Sequence, residues 1–350
     1  MKWLCVVMLV CFLTMLSAAQ TPALGTVSNV TSLSSCPAGF PVGAKCSEAT
    51  VSCSGTVDIQ VTFGLHDVPA SKGTIVLHGG SVGTDASSGL TGTFDQSYTA
   101  DGYSVVTLAW ATPWEDTGLT NKSIRTAACR PATALNFILN NRSRHGAKCA
   151  QGFSGGSGAL AYALSAYDAG SYLDKVVLEA GPVFSDIAQG CQVPNPQKVT
   201  VCTEGQFGCI PGDTFSDSPT YGGTVVGLMR EVTGIRNCGG VANTTMQSSN
   251  VWKAQSIVDG TAKSSFSYPH TSIAGWLCDN GLNNSAAQGD LFYKQFTNAS
   301  QADHFQVTPI RNCTGAEGVW FGQTPAGEAG LDAIVADMTD PISGCVQHAR

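Results

Sequence analysis

The chain is short of charge. Only 12% of its 350 residues are Asp, Glu, Lys or Arg, about half the share of an ordinary globular domain. It has no basic run, and 18 Lys and Arg against 25 Asp and Glu leave a formal charge of −7. A nucleic-acid partner needs a dense positive face to displace counterions, so that class of function is excluded. After Leu16 no apolar stretch approaches the length of a membrane span, so stable membrane insertion is not expected. The cysteines and histidines show no CxxC pair and no zinc spacing. There is no phosphate loop and no dinucleotide fingerprint after a first strand. No metal and no cofactor is implied.

What fills the space is glycine, small polar residues and cysteine. Lys2 followed by the apolar run Trp3 to Leu16 and the small residues Ser17-Ala18-Ala19 reads as a secretory signal peptide over 1–19. A retained signal anchor is the alternative. Cleavage near Gln20 gives a secreted, extracellular protein, or a periplasmic one in a Gram-negative source. The leader carries off Lys2, Cys5 and Cys11, leaving a charge of about −8. Twelve cysteines remain, at 36, 46, 53, 129, 149, 191, 202, 209, 238, 278, 313 and 345. An even number behind a signal peptide predicts up to six disulfides, with pairing unreadable from sequence. Sequons at Asn29, Asn121, Asn141, Asn243, Asn283, Asn298 and Asn312 make a glycoprotein in a glycosylating host.

The mature length suits one large α/β domain or two small ones, and 43% hydrophobic residues suffice for a sizeable core. Residues 20–55, rich in Ser, Thr, Pro and Gly, read as an N-terminal extension stapled by cysteine. Thr56 to Phe63 alternates like an antiparallel edge strand. Thr74 to Leu77 is a continuous apolar run suited to a strand buried on both faces. Further strands are expected at Ser104 to Trp110, Ala147 to Gln151, Lys175 to Leu178, Ser272 to Leu277 and Phe305 to Ile310. Helices are expected over 124–140, 158–167, 284–296 and 329–338. That alternation means βαβ units and a mostly parallel central sheet flanked by helices. Regularity fails between 186 and 268, with one helix at 223–233. This stretch reads as a cysteine-rich cap insertion, with the core in 56–185 and 269–350. Phe207, Phe215, Tyr221 and Trp252 are its candidates for lining a pocket. Trp110, Trp114 and Glu115 are candidates for lying beside one.

Gly152-Phe153-Ser154-Gly155-Gly156 fits G-x-S-x-G between an apolar strand and a helix of small residues. A sharp strand-to-helix turn needs glycine on both sides of the serine. It lifts the hydroxyl above the sheet edge and aims a helix N-terminus at it, where developing negative charge is stabilised. Ser157, also flanked by glycine, is the rival nucleophile. A turn without chemistry is the plain structural alternative.

Over roughly residues 56 to 340 the chain resembles the α/β-hydrolase fold superfamily, by the order of its elements and by GFSGG. The likeness is at the level of fold and leaves the substrate open. It implies an oxyanion hole of two backbone N–H groups. One is that of Gly155. The other belongs to the loop His78-Gly79-Gly80-Ser81, where Gly80 is nominated, with Ser81 next. The family order Ser, acid, His places the acid at Asp279, after the strand ending in Cys278, with Glu179 as an alternative and Asp186 a weaker one. The loop that should carry the histidine, Asn312 to Trp320, holds none. Glu317 stands there instead. Of the six histidines, His304 suits the chain order best, although it lies early. His348 reaches back only if Cys345 anchors the tail.

Three readings follow. Glu317 is the base, with a pKa raised by burial and by Asp279. Or an unexpected histidine completes a triad. Or the site binds a ligand without chemistry. The first two make a secreted serine esterase acting through an acyl-serine on a small-molecule or polymer ester. The alternatives are a noncatalytic ligand-binding protein on the same fold and a carbohydrate-active esterase. The sequence leaves oligomeric state unknown.

Overall fold

The computed structural model describes residues 22–119, 123–141, 146–191, 198–210, 214–221, 225, 250–258, 264–280 and 285–348. The signal-peptide reading lies outside them, as does the expected helix at 223–233 except for Val225, which is helical.

A nine-stranded sheet organises the chain. Its members are β1 (Thr26–Ser32), β2 (Lys45–Ser52), β3 (Ile59–His66), β4 (Gly73–His78), β5 (Ser104–Trp110), β6 (Ala147–Phe153) and β7 (Lys175–Glu179). Two short strands that follow β7, β8 (Val199–Val201) and β9 (Phe215–Asp217), pair with each other. The main sheet then closes with β10 (Ser272–Cys278) and β11 (Phe305–Ile310). The spatial order is β1-β2-β3-β5-β4-β6-β7-β10-β11. From β5 to β11 every pairing is parallel, and β1, β2 and β3 are antiparallel to their neighbours. This is the α/β-hydrolase fold, with an extra antiparallel strand at the N-terminal edge.

The central strands are buried along both faces, which is why they read as unbroken apolar runs. Their period of two divides the core. Val76, Val106, Leu108, Ala150, Val176, Leu178, Ile273 and Leu277 face one layer. That layer holds α3 (Cys129–Asn141), α4 (Gly155–Tyr167) and α7 (Ser285–Tyr293). Ile75, Leu77, Val105, Cys149, Val177, Ala274 and Trp276 face the other, under α1 (Thr91–Ala100), α8 (Gly318–Phe321) and α9 (Gly330–Thr339).

Four expectations change. Residues 26–52 are not an appended extension but two strands of the main sheet. The strand expected at the edge, β3, therefore lies inside, between β2 and β5. The helix expected over 124–140 breaks into α2 (Ile124–Ala127) and α3. Pro131 has no N–H, and its ring crowds the carbonyl four residues back, on Ala127, so the break falls there. Helix α1 has no counterpart in the sequence reading. Its sequence TGTFDQSYTA starts from a left-handed Leu90 without a side-chain cap and carries Gly92 and three threonines, all weak helix signals. Between β7 and β10 lie α5 (Ile187–Gly190) and α6 (Asn250–Gln255).

Disulfides join Cys36–Cys46, Cys53–Cys129, Cys149–Cys345, Cys202–Cys209 and Cys278–Cys313. Cys191 is also disulfide-bonded. Cys53–Cys129 fixes the end of β2 to α3, and Cys149–Cys345 fixes the C-terminal tail to the start of β6. Among the described residues no helix is long and apolar enough to cross a membrane. Asn29, Asn141, Asn298 and Asn312 are exposed.

A cross-link constrains the unfolded chain more when it closes a longer loop. Cys149–Cys345 spans 196 positions and Cys36–Cys46 spans 10. Replacing both cysteines of the long pair by alanine is expected to lower the unfolding free energy in urea by roughly 2–5 kcal/mol. The same change in the short pair costs less.

Candidate active site

Strand β6 runs into Ser154 and the chain turns at once into α4. Ser154 has φ 51° and ψ −110°, a left-handed setting that a side chain rarely adopts. Two close approaches explain the glycines around it. A Cβ on Gly152 would lie 2.5 Å from the Gly156 carbonyl oxygen, and one on Gly155 would lie 1.8 Å from that of Ser81. The Ser154 N–H donates to the Glu179 carbonyl at 2.8 Å, and its own carbonyl accepts from Gly158 N–H at 3.1 Å. The Ser154 side chain is half-buried, and its hydroxyl has no hydrogen-bond partner among the described residues. Ser157, the rival, is buried inside the first turn of α4. Its hydroxyl donates to the Ser154 carbonyl at 2.5 Å.

Ser154 opens on a cavity of about 440 Å³. Phe153, Val183, Phe184, Val225 and Ala316 give it apolar walls. Ser81, Ser88, Gly155, Ser285, Thr314, Gly315 and Glu317 complete the lining. The Gly155 N–H belongs to the first turn of α4, where amides have no partner within the helix. Gly80 departs from the expected role, because its N–H donates to Ser88 Oγ at 3.1 Å and Gly80 is not part of the wall. The neighbouring Ser81, at φ 53°, does line the cavity. The backbones of Ser81 and Gly155, the residue after Ser154, come into close contact. Ser285 is 2% exposed and its hydroxyl has no partner among the described residues.

Glu317 lies in the wall and is the only ionisable side chain among the described residues of the lining. It is exposed, so the burial that its role as base was expected to use is absent. Asp279 follows β10 as expected but is not in the wall. Its carboxylate accepts the Cys313 N–H at 3.4 Å. With the Cys278–Cys313 disulfide and the bond from Gly315 N–H to the Asn280 carbonyl at 3.1 Å, it tethers the loop that carries Glu317. Asp279 is thus a loop anchor and makes no bond to Glu317. Donor atoms of Cys278, Asp279 and Cys313 lie within 4.8 Å of one another, but both sulfurs are joined to each other and offer no thiolate to a metal.

No histidine among the described residues lines the cavity. His304 immediately precedes β11, at the opposite end of the parallel strands from Ser154. Cys345 does anchor the tail, but to the start of β6, so His348 sits at that same far end. There its Nδ1 is 3.3 Å from Asp303 Oδ2. His66 pairs with Asp95, and His270 is exposed before β10. His145 is outside the described residues. His78 is buried. Trp110 Nε1 donates to its Nε2 at 3.1 Å, and its Nδ1 lies 3.0 Å from the Gly79 carbonyl. An indole N–H can only donate, so the proton is on Nδ1. Burial pushes the imidazole down to about 4, keeping it neutral. It props the loop before Ser81. Trp110, Trp114 and Glu115 are buried and stand outside the lining, as do Phe207, Phe215, Tyr221 and Trp252.

Glu179, the alternative acid, occupies a different place. It ends β7 on the face opposite α4 and is 1% exposed. Its Oε1 accepts from Gln151 Nε2 at 2.5 Å, and its Oε2 accepts from the Trp320 indole. The Tyr98 hydroxyl donates to Gln151 Oε1. Burial raises the Glu179 carboxyl to about 8 against these donors. One sequence signal pointed to this chain: Gln151 is a polar residue at the end of an apolar strand. Nothing singled out Ser88, Val225 or Ser285.

A carboxyl raised on folding keeps a proton that the unfolded chain releases. The Glu179 contribution to stability therefore falls as pH rises from about 4.5 to about 8 and is constant outside that window. Urea unfolding across this range is expected to show that slope in the wild type and to lose it in Glu179→Gln.

No protein-family model matches the chain, and no curated protein matches it. Solved structures do. A hyperthermophilic esterase from Pyrobaculum calidifontis is 14% identical at a TM-score of 0.48, over 87% of this chain and 84% of that one. A carbohydrate esterase from gut microbiota is 13% identical at 0.48, over 80% and 88%. An esterase from Pyrococcus furiosus is 10% identical at 0.47, over 84% and 92%.

Proposed function

We propose that this chain is a secreted carboxylic ester hydrolase that forms an acyl-serine on Ser154. The observation that carries the reading is the left-handed backbone of Ser154 at the tip of a strand-turn-helix that lines a cavity. Such strain in a non-glycine residue persists only where its surroundings over-determine it, and it gathers at functional sites.

Ser154 Oγ attacks the ester carbonyl, and its proton passes to the Glu317 carboxylate. The amides of Ser81 and Gly155 receive the oxyanion. Collapse expels the alcohol, which takes the proton back from Glu317. Water then attacks the acyl-serine, giving up its proton by the same route, and the acid leaves. Glu317 is assigned as base because, among the described residues, no other ionisable side chain lines the cavity. A carboxylate is a weaker base than imidazole and protonates the leaving group with less margin. Esters suit it better than amides for that reason. The insertion 186–268 acts as a cap, with Val225 its contribution to the wall.

The second reading, a noncatalytic ligand-binding protein, draws on one fact. Glu317 is exposed, and no hydrogen bond orients its carboxylate among the described residues.

A fluorophosphonate probe separates the two. Covalent labelling is expected in the wild type and in Ser157→Ala and absent in Ser154→Ala. Folded wild type that takes no label overturns the enzyme reading. With an activated ester, Glu317→Gln is expected to lower kcat/KM by about 10²–10⁴-fold. An undiminished rate removes Glu317 as base.

A further inference from the structure

The carboxyl of Glu179 touches neither the cavity nor the Ser154 side chain. It nevertheless joins the two pieces of chain that the proposed reaction must hold together. Its backbone carbonyl takes the Ser154 N–H at 2.8 Å. Its side chain takes the indole N–H of Trp320. Trp320 belongs to α8, the helix that Glu317 begins. The Trp320 ring also packs on Phe153, the residue before Ser154, with centroids 4.4 Å apart. One residue thus fixes the nucleophile from the strand side and the loop of the base from the helix side.

We propose that Glu179 is a positioning residue for the reaction at Ser154, holding Trp320 and through it Glu317 in register with the nucleophile, and that it does so as the neutral acid. This rests on the hydrolase reading given above.

The groups around the carboxyl support the neutral form. Tyr98 of α1, Gln151 of β6, Trp320 of α8 and Trp276 of β10 surround it, and none is a cation. Lys175 lies on the same face of β7 but four residues away, with its ammonium 2.8 Å from Asp337. That separation is about 13 Å along a strand. A buried carboxylate without a cation is costly, in line with burial raising Glu179 to about 8. Gln151 lets the chain accommodate the proton. Reversing its amide lets a Glu179 O–H donate to the Gln151 oxygen while the Gln151 NH₂ donates to the Tyr98 oxygen. The other Glu179 oxygen keeps Trp320. Ionisation removes this arrangement and leaves a dry negative charge under the turn.

The substitution Glu179→Gln imitates the neutral acid, since an amide donates to the reversed Gln151 and accepts from Trp320. Glu179→Leu removes both bonds, and Trp320→Phe removes one while keeping the ring on Phe153. The wild-type kcat is expected to fall above pH 8, and Glu179→Gln to lose that fall. Glu179→Leu and Trp320→Phe are expected to lower kcat about 10–100-fold at pH 7 with KM within a factor of about three, as for a misplaced catalytic group. Phosphonate labelling of Ser154 should slow in parallel. If Glu179→Leu does not fold, Trp320→Phe carries the test alone. An alkaline limb that persists in Glu179→Gln, or a Trp320→Phe enzyme with wild-type kcat, overturns the proposal. Labelling at the wild-type rate in both variants overturns it while leaving the hydrolase reading intact. Absence of labelling in the wild type ends both.

Discussion

The hydrogen bond from the Ser154 amide to the Glu179 carbonyl fixes the turn to the sheet. A serine in the left-handed region would relax if the chain around it were free. It cannot, because β6 is locked to β4 and β7 on either side and its first amide past the strand is held by β7. Glycines at 152 and 155 then allow backbone to pass within reach of backbone. The same approach that excludes a side chain at 155 brings Ser81 beside it. Local strain, sheet pairing and the approach of Ser81 to Gly155 are one arrangement.

Polar groups near that arrangement divide by face. Above the sheet ends lie hydroxyls, amides and one exposed carboxylate. Beneath the turn lies a buried chain of tyrosine, glutamine, glutamate and tryptophan. The first set borders the cavity. The second is dry, so its protonation states are set by what it touches. His78 on the other face follows the same rule with the opposite charge type and stays neutral between Gly79 and Trp110.

Much of this was legible in the sequence. The parallel strands were readable because burial on both faces demands continuous apolar runs, and the turn because GFSGG sits between such a strand and a small-residue helix. The lack of a histidine in the last loop was equally plain, and no described histidine replaces it in the cavity. Other features were hidden for physical reasons. Strand β1 is exposed along almost its whole length at the sheet edge, and β2 beside it carries polar residues between its buried ones, so they resembled a loop-rich extension. Gly80 looked like an oxyanion donor until Ser88, eight residues on, claimed its N–H. Asp279 has the chain position of a catalytic acid, yet its carboxylate turns to the amide of Cys313. Such competition between hydrogen-bond partners depends on distances that no linear pattern contains. Glu179 was named for its strand, and its true neighbours came from α1 and α8, far along the chain.

The bond between Cys149 and Cys345 has a consequence of another kind. It begins just before the turn and ends near the C-terminus, so Ser154, the stretch between β7 and β10, the Glu317 loop and the last helix all fall inside one covalent ring. A protease that cuts a single peptide bond anywhere in that ring changes the number of chains seen after reduction but releases no fragment. Both ends of the cut remain tethered to the same sheet, and a nicked molecule keeps the covalent continuity on which its refolding depends.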